Sequence, residues 1–266
     1  MTVDVQNSRD YRNITLDEAG IKDLLYPVTI LDREREKQRT VASISMSVEL
    51  PHHFKGTHMS RFVEVLGRHD RDLDGRTIPA ILNELKDALD ARSARITISF
   101  PYFLEKKAPV TGVPSKMDYL CAFRGSSGPE GEDFVLSVGV PVSSLCPCSR
   151  EISSYGAHNQ RGRITIDVRS FQDETGVPEI VWIEELIETA EASASSPVYA
   201  LLKRPDERYV TESSYDNPVF VEDMVRNASE ALMEDPRLTW FQVTAESQES
   251  IHNHTAYARF EWRRET

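Results

Sequence analysis

The sequence predicts an α+β fold of two related modules, each an antiparallel sheet with helices on one face. Three observations predict it. Most long runs from Val41 onward alternate apolar and polar residues, the period of a half-buried strand. The stretches 78–89, 180–190 and 217–232 repeat instead every three to four residues, as helices do. The order hairpin, helix, strands from Val41 is followed from Phe134 by strands, helices and a strand pair. No sequence repeat links the halves, so the duplication rests on topology. The modules divide as 40–130 and 131–266.

Residues 1–39 are expected to form an N-terminal arm, with DREREKQRT a solvated charge cluster. VASISMSVEL is a strand closed by Pro51, and HHFKGTHMSRFVEVL turns at Gly56 into a second strand, making a hairpin. His52, His53 and His58 sit at its bend as loop residues. Thr77 caps a helix with an apolar face of Ile78, Ile81, Leu82, Leu85, Ala88 and Leu89. ARITISFPYFL and MDYLCAFRG are strands, the second carrying Cys121 as a small core residue. SSGPEGED is a turn between them and the strand FVLSVGVPV.

GRITIDVRSF is the next strand. A helix follows with Ile180, Ile183, Glu184, Leu186 and Ile187 inward. SASSPVYALLK holds a break and a second, shorter helix, and KRPDERYVTESSYDNP is an irregular polar connection. Asn217 and Pro218 start the last helix, whose apolar face is Phe220 or Val221, Met224, Val225, Ala228, Ala231 and Leu232. LTWFQVTAES and TAYARFEW close the chain as a strand pair joined by QESIHNH.

Composition narrows the function. The net charge of −12 disfavours broad binding to nucleic acid or anionic membrane, which needs a positive field. Three cysteines, an odd number, fit a reducing compartment better than a disulfide framework, and the N-terminus lacks a signal-peptide pattern. A cytoplasmic protein is expected.

The chemistry concentrates between Val140 and Arg163. Cys146 and Cys148 flank Pro147, and His158 follows Cys146 by twelve positions. Thiolate, imidazole and carboxylate are ligands of zinc-like ions. Cys-Pro-Cys is too short for an easy disulfide and is not the Cys-x-x-Cys of a redox motif. His252 and His254 form a His-x-His that would face one side on an extended segment, suited to proton transfer. Glu222, in the first turns of the last helix, either complements that helix end or offers two adjacent acceptors to the paired donors of guanine. Glu207 is either a surface charge or an oxygen ligand.

VPVSSLCPCSREISSYGAHNQRG, with LLKRPDERYVTESSYDNPVFVEDMVR and ESIHNH, resembles the type IB GTP cyclohydrolase I family from about Asp32 onward. The resemblance implies a bimodular tunnelling fold (T-fold) assembling as a homotetrameric barrel with active sites between subunits. It implies conversion of GTP and water to 7,8-dihydroneopterin triphosphate and formate, through metal-activated water at guanine C8. One divalent ion per site (manganese, zinc or iron) would be held by Cys146, His158 and Glu207. Cys146, His252 and His254 would be catalytic, and Glu222 would anchor the guanine. Lys55, Arg150, Arg161, Arg163, Lys203 and Arg204 are the cations nearest the motifs for a triphosphate. The chain lacks the Cys-x-His-His of the type IA enzymes. Two alternatives are a nitrile reductase of deazaguanine metabolism on the same fold and a non-catalytic metal-binding scaffold.

Overall fold

The computed structural model describes Gln6 and residues 8–69, 73–174 and 177–265. Among them nine strands form one antiparallel sheet with helices on one face. The strands are β1 (Leu16–Asp32), β2 (Glu36–Leu50), β3 (Ala94–Lys107), β4 (Pro114–Gly128), β5 (Gly131–Leu145), β6 (Asn159–Ser170), β7 (Ser196–Pro197), β8 (Leu238–Gln248) and β9 (Thr255–Arg263). Their order is β1-β2-β3-β4-β5-β6-β8-β9, with β7 beside β5. The helices are α1 (Met59–Arg68), α2 (Ile78–Leu89), α3 (Pro147–Ile152), α4 (Ile183–Ala192), α5 (Arg204–Asp216) and α6 (Val221–Met233). None is long and apolar enough to cross a membrane.

The chain divides into two compact units, but not at residue 130. One comprises Met1–Phe100, Ala122–Leu136 and Gln172–Ile180, the other Pro101–Cys121, Ser137–Phe171 and Val181–Thr266. The boundary cuts within β3, β4 and β5.

In the first unit, much of the expected arm is strand; its residues 1–5 and 7 lie outside the described residues. Leu16–Asp32 pairs with Glu36–Leu50, so the hairpin is β1–β2; the charge cluster supplies its turn at residues 33–35 and then the start of β2. Asp32 builds that turn: its Oδ1 accepts from the N–H groups of Glu34 and Arg35 at 3.0 and 2.8 Å. The first two thirds of β1 bury nothing fully, and only Val28, Ile30 and Asp32 alternate inward, so its period is short and easily missed. Gly20 permits the pairing, because a Cβ there would fall 1.9 Å from the Met46 carbonyl oxygen.

The second strand expected around SRFVEVL is helix α1. Phe62, Val65 and Leu66, all fully buried, stand at i, i+3 and i+4, a helical spacing. Helix α2 buries Ile78, Ile81, Leu82 and Leu85 as expected. Its start is organised by Asp74 rather than by a Thr77 side-chain cap: Asp74 Oδ1 accepts from the N–H groups of Arg76 and Thr77.

In the second unit, Ile164, Ile166 and Val168 of β6 face the same core as Phe241, Val243 and Ala245 of β8. Leu186, Ile187 and Ala190 of α4 and Met224, Ala228 and Leu232 of α6 complete that core. Ile180 lies before α4, in the other unit, and is 38% exposed. On α6, Val221 rather than Phe220 is buried, and Ala231 is exposed. Cys121 is buried, and burial pushes its thiol well above the ordinary range.

The helix expected in SASSPVYALLK is absent, and the expected polar connection is helix α5. Pro205 occupies its first turn and Asp206 caps it, accepting from Lys203 N–H at 2.9 Å. Only Asp206 and Ser214 of α5 are buried, so no apolar stripe marked it. Asn217 therefore ends α5 instead of starting α6.

Candidate active site

The site begins where β5 ends. Ser144 and Leu145 are buried and tied to two later segments. Leu145 N–H donates to Ser195 Oγ at 3.0 Å, Val219 N–H donates to Leu145 O at 3.2 Å, and Ser144 Oγ–H donates to Val219 O at 2.7 Å. Asn217 Nδ2–H reaches Ala194 O at 3.0 Å. These bonds join the end of β5 to the chain after α4 and to the α5–α6 connection, the stretches leading to Glu207 and Glu222.

Cys146 follows at once, as the N-cap of α3. Pro147 stands at the first helical position, where its missing N–H costs nothing. Ser149 N–H donates to Cys146 Sγ at 3.4 Å. The chain reverses through Gly156, whose φ of 115° suits glycine. It returns with Cys146 N–H donating to His158 O at 3.1 Å and His158 N–H to Ser149 Oγ at 3.3 Å. Cys146, just past the end of β5, and His158, just before β6, thus become backbone neighbours, both half-buried. Cys148 is exposed.

His158 Nδ1 lies 2.9 Å from Gln160 Oε1 and 3.4 Å from Ser250 Oγ. Gln160 Nε2–H donates to Glu249 Oε1 at 3.4 Å. The β8–β9 loop therefore leans on the start of β6. That loop carries His252 and His254, both exposed, with rings stacked at 5.1 Å and 18°. The segment is a series of bends, not a strand, yet the two imidazoles still share a side.

Glu207 sits exposed in the first turn of α5 beside the buried Asp206. Among the described residues no three His, Cys, Asp or Glu side chains converge as a metal cage, so Glu207 is not gathered with Cys146 and His158. Glu222 sits exposed in the first turn of α6 and lines a groove of about 510 Å³ with Val225, Arg226, Ser229, Met233 and Phe260. The capping at this helix belongs to Asp223, whose Oδ2 accepts from Phe220 N–H at 3.3 Å and whose Oδ1 pairs with Arg226 at 2.8 Å. Glu222 is left to face solvent.

The basic residues separate. Arg150 lies over the Tyr215 ring at 4.6 Å, and Lys203 and Arg204 are exposed at the start of α5. Arg161 and Arg163 alternate with the buried Gln160 and Gly162, so they leave β6 on the opposite face. Lys55 belongs to the other unit.

Sequence reasoning missed the supporting residues Ser195, Asp206, Gln160 and Glu249, and gave Asn217 a different role, as a helix start. A signal for Gln160 is that it follows His158 by two as the chain enters β6, which puts both on one face.

Residues 2–258 match the family described as type I GTP cyclohydrolase folE2. The chain is 54% identical over 258 residues to GTP cyclohydrolase FolE2 of Geotalea uraniireducens, covering 97% of this chain and 92% of that one. It is 53% identical over 258 residues to that of Geobacter sulfurreducens, covering 97% of each. Among solved structures, a uricase from Bacillus fastidious superposes with a TM-score of 0.55 at 8% identity, over 95% of this chain and 93% of that one. Urate oxidase from Bacillus subtilis 168 superposes with a TM-score of 0.53 at 8% identity, over 93% and 98%. At such identities the structural likeness speaks to the fold, the tunnelling fold, alone.

Proposed function

Because the chain belongs to the type I GTP cyclohydrolase folE2 family, we propose that it converts GTP and water to 7,8-dihydroneopterin triphosphate and formate, the entry to folate and pterin synthesis. The observation that carries this reading at the level of residues is the pairing of Cys146 with His158 where β5 meets β6.

The donor chemistry fits a divalent ion. Thiolate sulfur and imidazole nitrogen suit zinc and its neighbours, and a carboxylate oxygen suits manganese and iron as well. Cys146 and His158 would hold the ion; Glu207, the oxygen donor that the resemblance implies, is not gathered with them within the single chain. When bound, such an ion supplies Lewis acidity and lowers the pKa of water toward neutrality.

The chain's own groups do the rest. Glu222 accepts the ring N–H and exocyclic amine of guanine on its two oxygens; with Asp223 already capping the helix, that role costs α6 nothing. His252 and His254 hold and deliver the proton that the ring nitrogen takes as the imidazole of guanine opens, because an imidazole can both accept and donate one. Arg150, Lys203 and Arg204 serve the triphosphate. Strands β1 and β9 end the sheet within one chain, and a homotetramer would pair such edges.

The test is to strip metal, add GTP with and without Mn²⁺ or Zn²⁺, and follow formate and pterin fluorescence. Product in the presence of metal is expected. No product with any metal would overturn the reading.

A further inference from the structure

We infer that Gln160 is a positioning residue that holds His158 as its Nδ1–H tautomer and leaves Nε2 with the lone pair. The inference rests on the proposed ligand role of His158. It assigns a function to two residues, Gln160 and Glu249, that the mechanism above does not use.

Three polar groups, on His158, Gln160 and Glu249, fix the tautomer. An amide side chain has one accepting oxygen and one donating nitrogen. The Glu249 carboxylate only accepts, so the nitrogen of Gln160 turns to it at 3.4 Å. That leaves Oε1 facing His158 Nδ1 at 2.9 Å. An oxygen that only accepts requires a hydrogen on Nδ1. Neutral imidazole carries one N–H, so Nε2 is the unprotonated atom. Ser250 Oγ lies 3.4 Å from the same nitrogen, and a hydroxyl, able to donate or accept, fits the Nδ1–H that Gln160 requires.

The alternative is that Gln160 merely fills space. Gln160 is only 9% exposed, and an amide without fixed partners there would be costly. Its two bonds instead run in one direction, from His158 through Gln160 to Glu249. A histidine that ligates a metal through one nitrogen usually donates the other N–H to such an acceptor, and removing the acceptor typically lowers metal affinity 10–100-fold. The same relay anchors the loop bearing His252 and His254 to the strand bearing His158.

The experiment uses the full chain. Nitrogen-15 histidine spectra of the metal-free protein report which ring nitrogen of His158 carries hydrogen, and chelator competition reports Zn²⁺ affinity. Gln160→Leu should abolish the Nδ1–H preference and lower affinity about 10–100-fold. The exchanged pair Gln160→Glu with Glu249→Gln restores an acceptor at Nδ1 and should recover both readouts. Should Gln160→Leu fail to fold, Glu249→Ala, which frees the amide to turn, should move both readouts in the same direction. Unchanged tautomer and affinity in Gln160→Leu, or a folded exchanged pair that recovers neither, would overturn the inference. His158→Ala separates the two levels. If it binds Zn²⁺ like the unsubstituted chain, the ligand reading fails; if it loses affinity while Gln160→Leu does not, only the role of Gln160 fails.

Discussion

Ser195→Ala tests whether the bonds behind Cys146 hold the site in place. Ser195 Oγ is the acceptor for Leu145 N–H, and both residues are 5% exposed. Removing the hydroxyl strands a buried backbone donor, which costs about 1–3 kcal/mol. The small void left by one oxygen adds little. For a chain of this size each kcal/mol lowers the melting temperature by roughly 2–4 °C, so a fall of about 2–12 °C is expected at fixed protein concentration. Leu145 immediately precedes Cys146, so turnover should also drop, by up to about 10²-fold if the thiol shifts by an ångström. Thermal melts, amide exchange at Leu145 and initial rates measure the three effects. Ser154→Ala, at an exposed position, is the control and should stay within about 0.5 kcal/mol. An unchanged melting temperature together with a still-protected Leu145 amide would refute the argument.

Three further outcomes are expected. Cys146→Ala should abolish turnover while circular dichroism stays native, because it removes only the long 3.4 Å bond from Ser149 N–H and leaves the backbone bonds of residue 146 to His158 and Arg150; retained turnover would remove Cys146 from the mechanism. Glu222→Ala should weaken GTP binding by on the order of ten- to a hundredfold, the worth of hydrogen bonds to a charged group, and leave metal affinity unchanged; equal GTP affinity in calorimetry would count against the anchor. Asp206 governs acid stability. Burial pushes its carboxyl up, but hydrogen bonds from Thr111, Lys203 and Val110 outweigh that and hold it below the usual carboxylate range. A depressed folded value means its contribution is present above the unfolded pKa of about 3.9 and is lost as pH falls through the folded value. Asp206→Asn should therefore be less stable at neutral pH and flatter in its acid melting profile; parallel profiles for the two proteins would contradict this.

The elements legible in the sequence were those whose side chains face a core on one side. Helix α2 and strands β2, β3, β4, β5, β6 and β8 declare themselves by burial at period 3.6 or 2. Helix α1 was equally legible in Phe62, Val65 and Leu66, but the preceding turn suggested a hairpin. Strand β1 and helix α5 were not legible. Only the last third of β1 buries an alternating face, at Val28, Ile30 and Asp32, and α5 is held by caps and the Asp206 clasp rather than by an apolar stripe.

The same division holds at the site. Two thiols and a histidine between strands marked Cys146, Cys148 and His158 as candidates from spacing, family resemblance chose Cys146, and a backbone hydrogen bond made it a neighbour of His158. Spacing suggested proton transfer for His252 and His254, while family resemblance ranked the roles of Glu207 and Glu222. Only the tertiary structure separated Asp223, which caps α6, from Glu222, which does not. Only it turned Arg161 and Arg163 to the far face of β6 and placed Glu249 and Gln160 behind His158. The sequence by itself determined which chemistry is present, because residue types carry it. Direction and partnership were decided by the fold, because a hydrogen bond depends on two segments meeting at about 3 Å, and the distance along the chain between Gln160 and Glu249 says nothing of that.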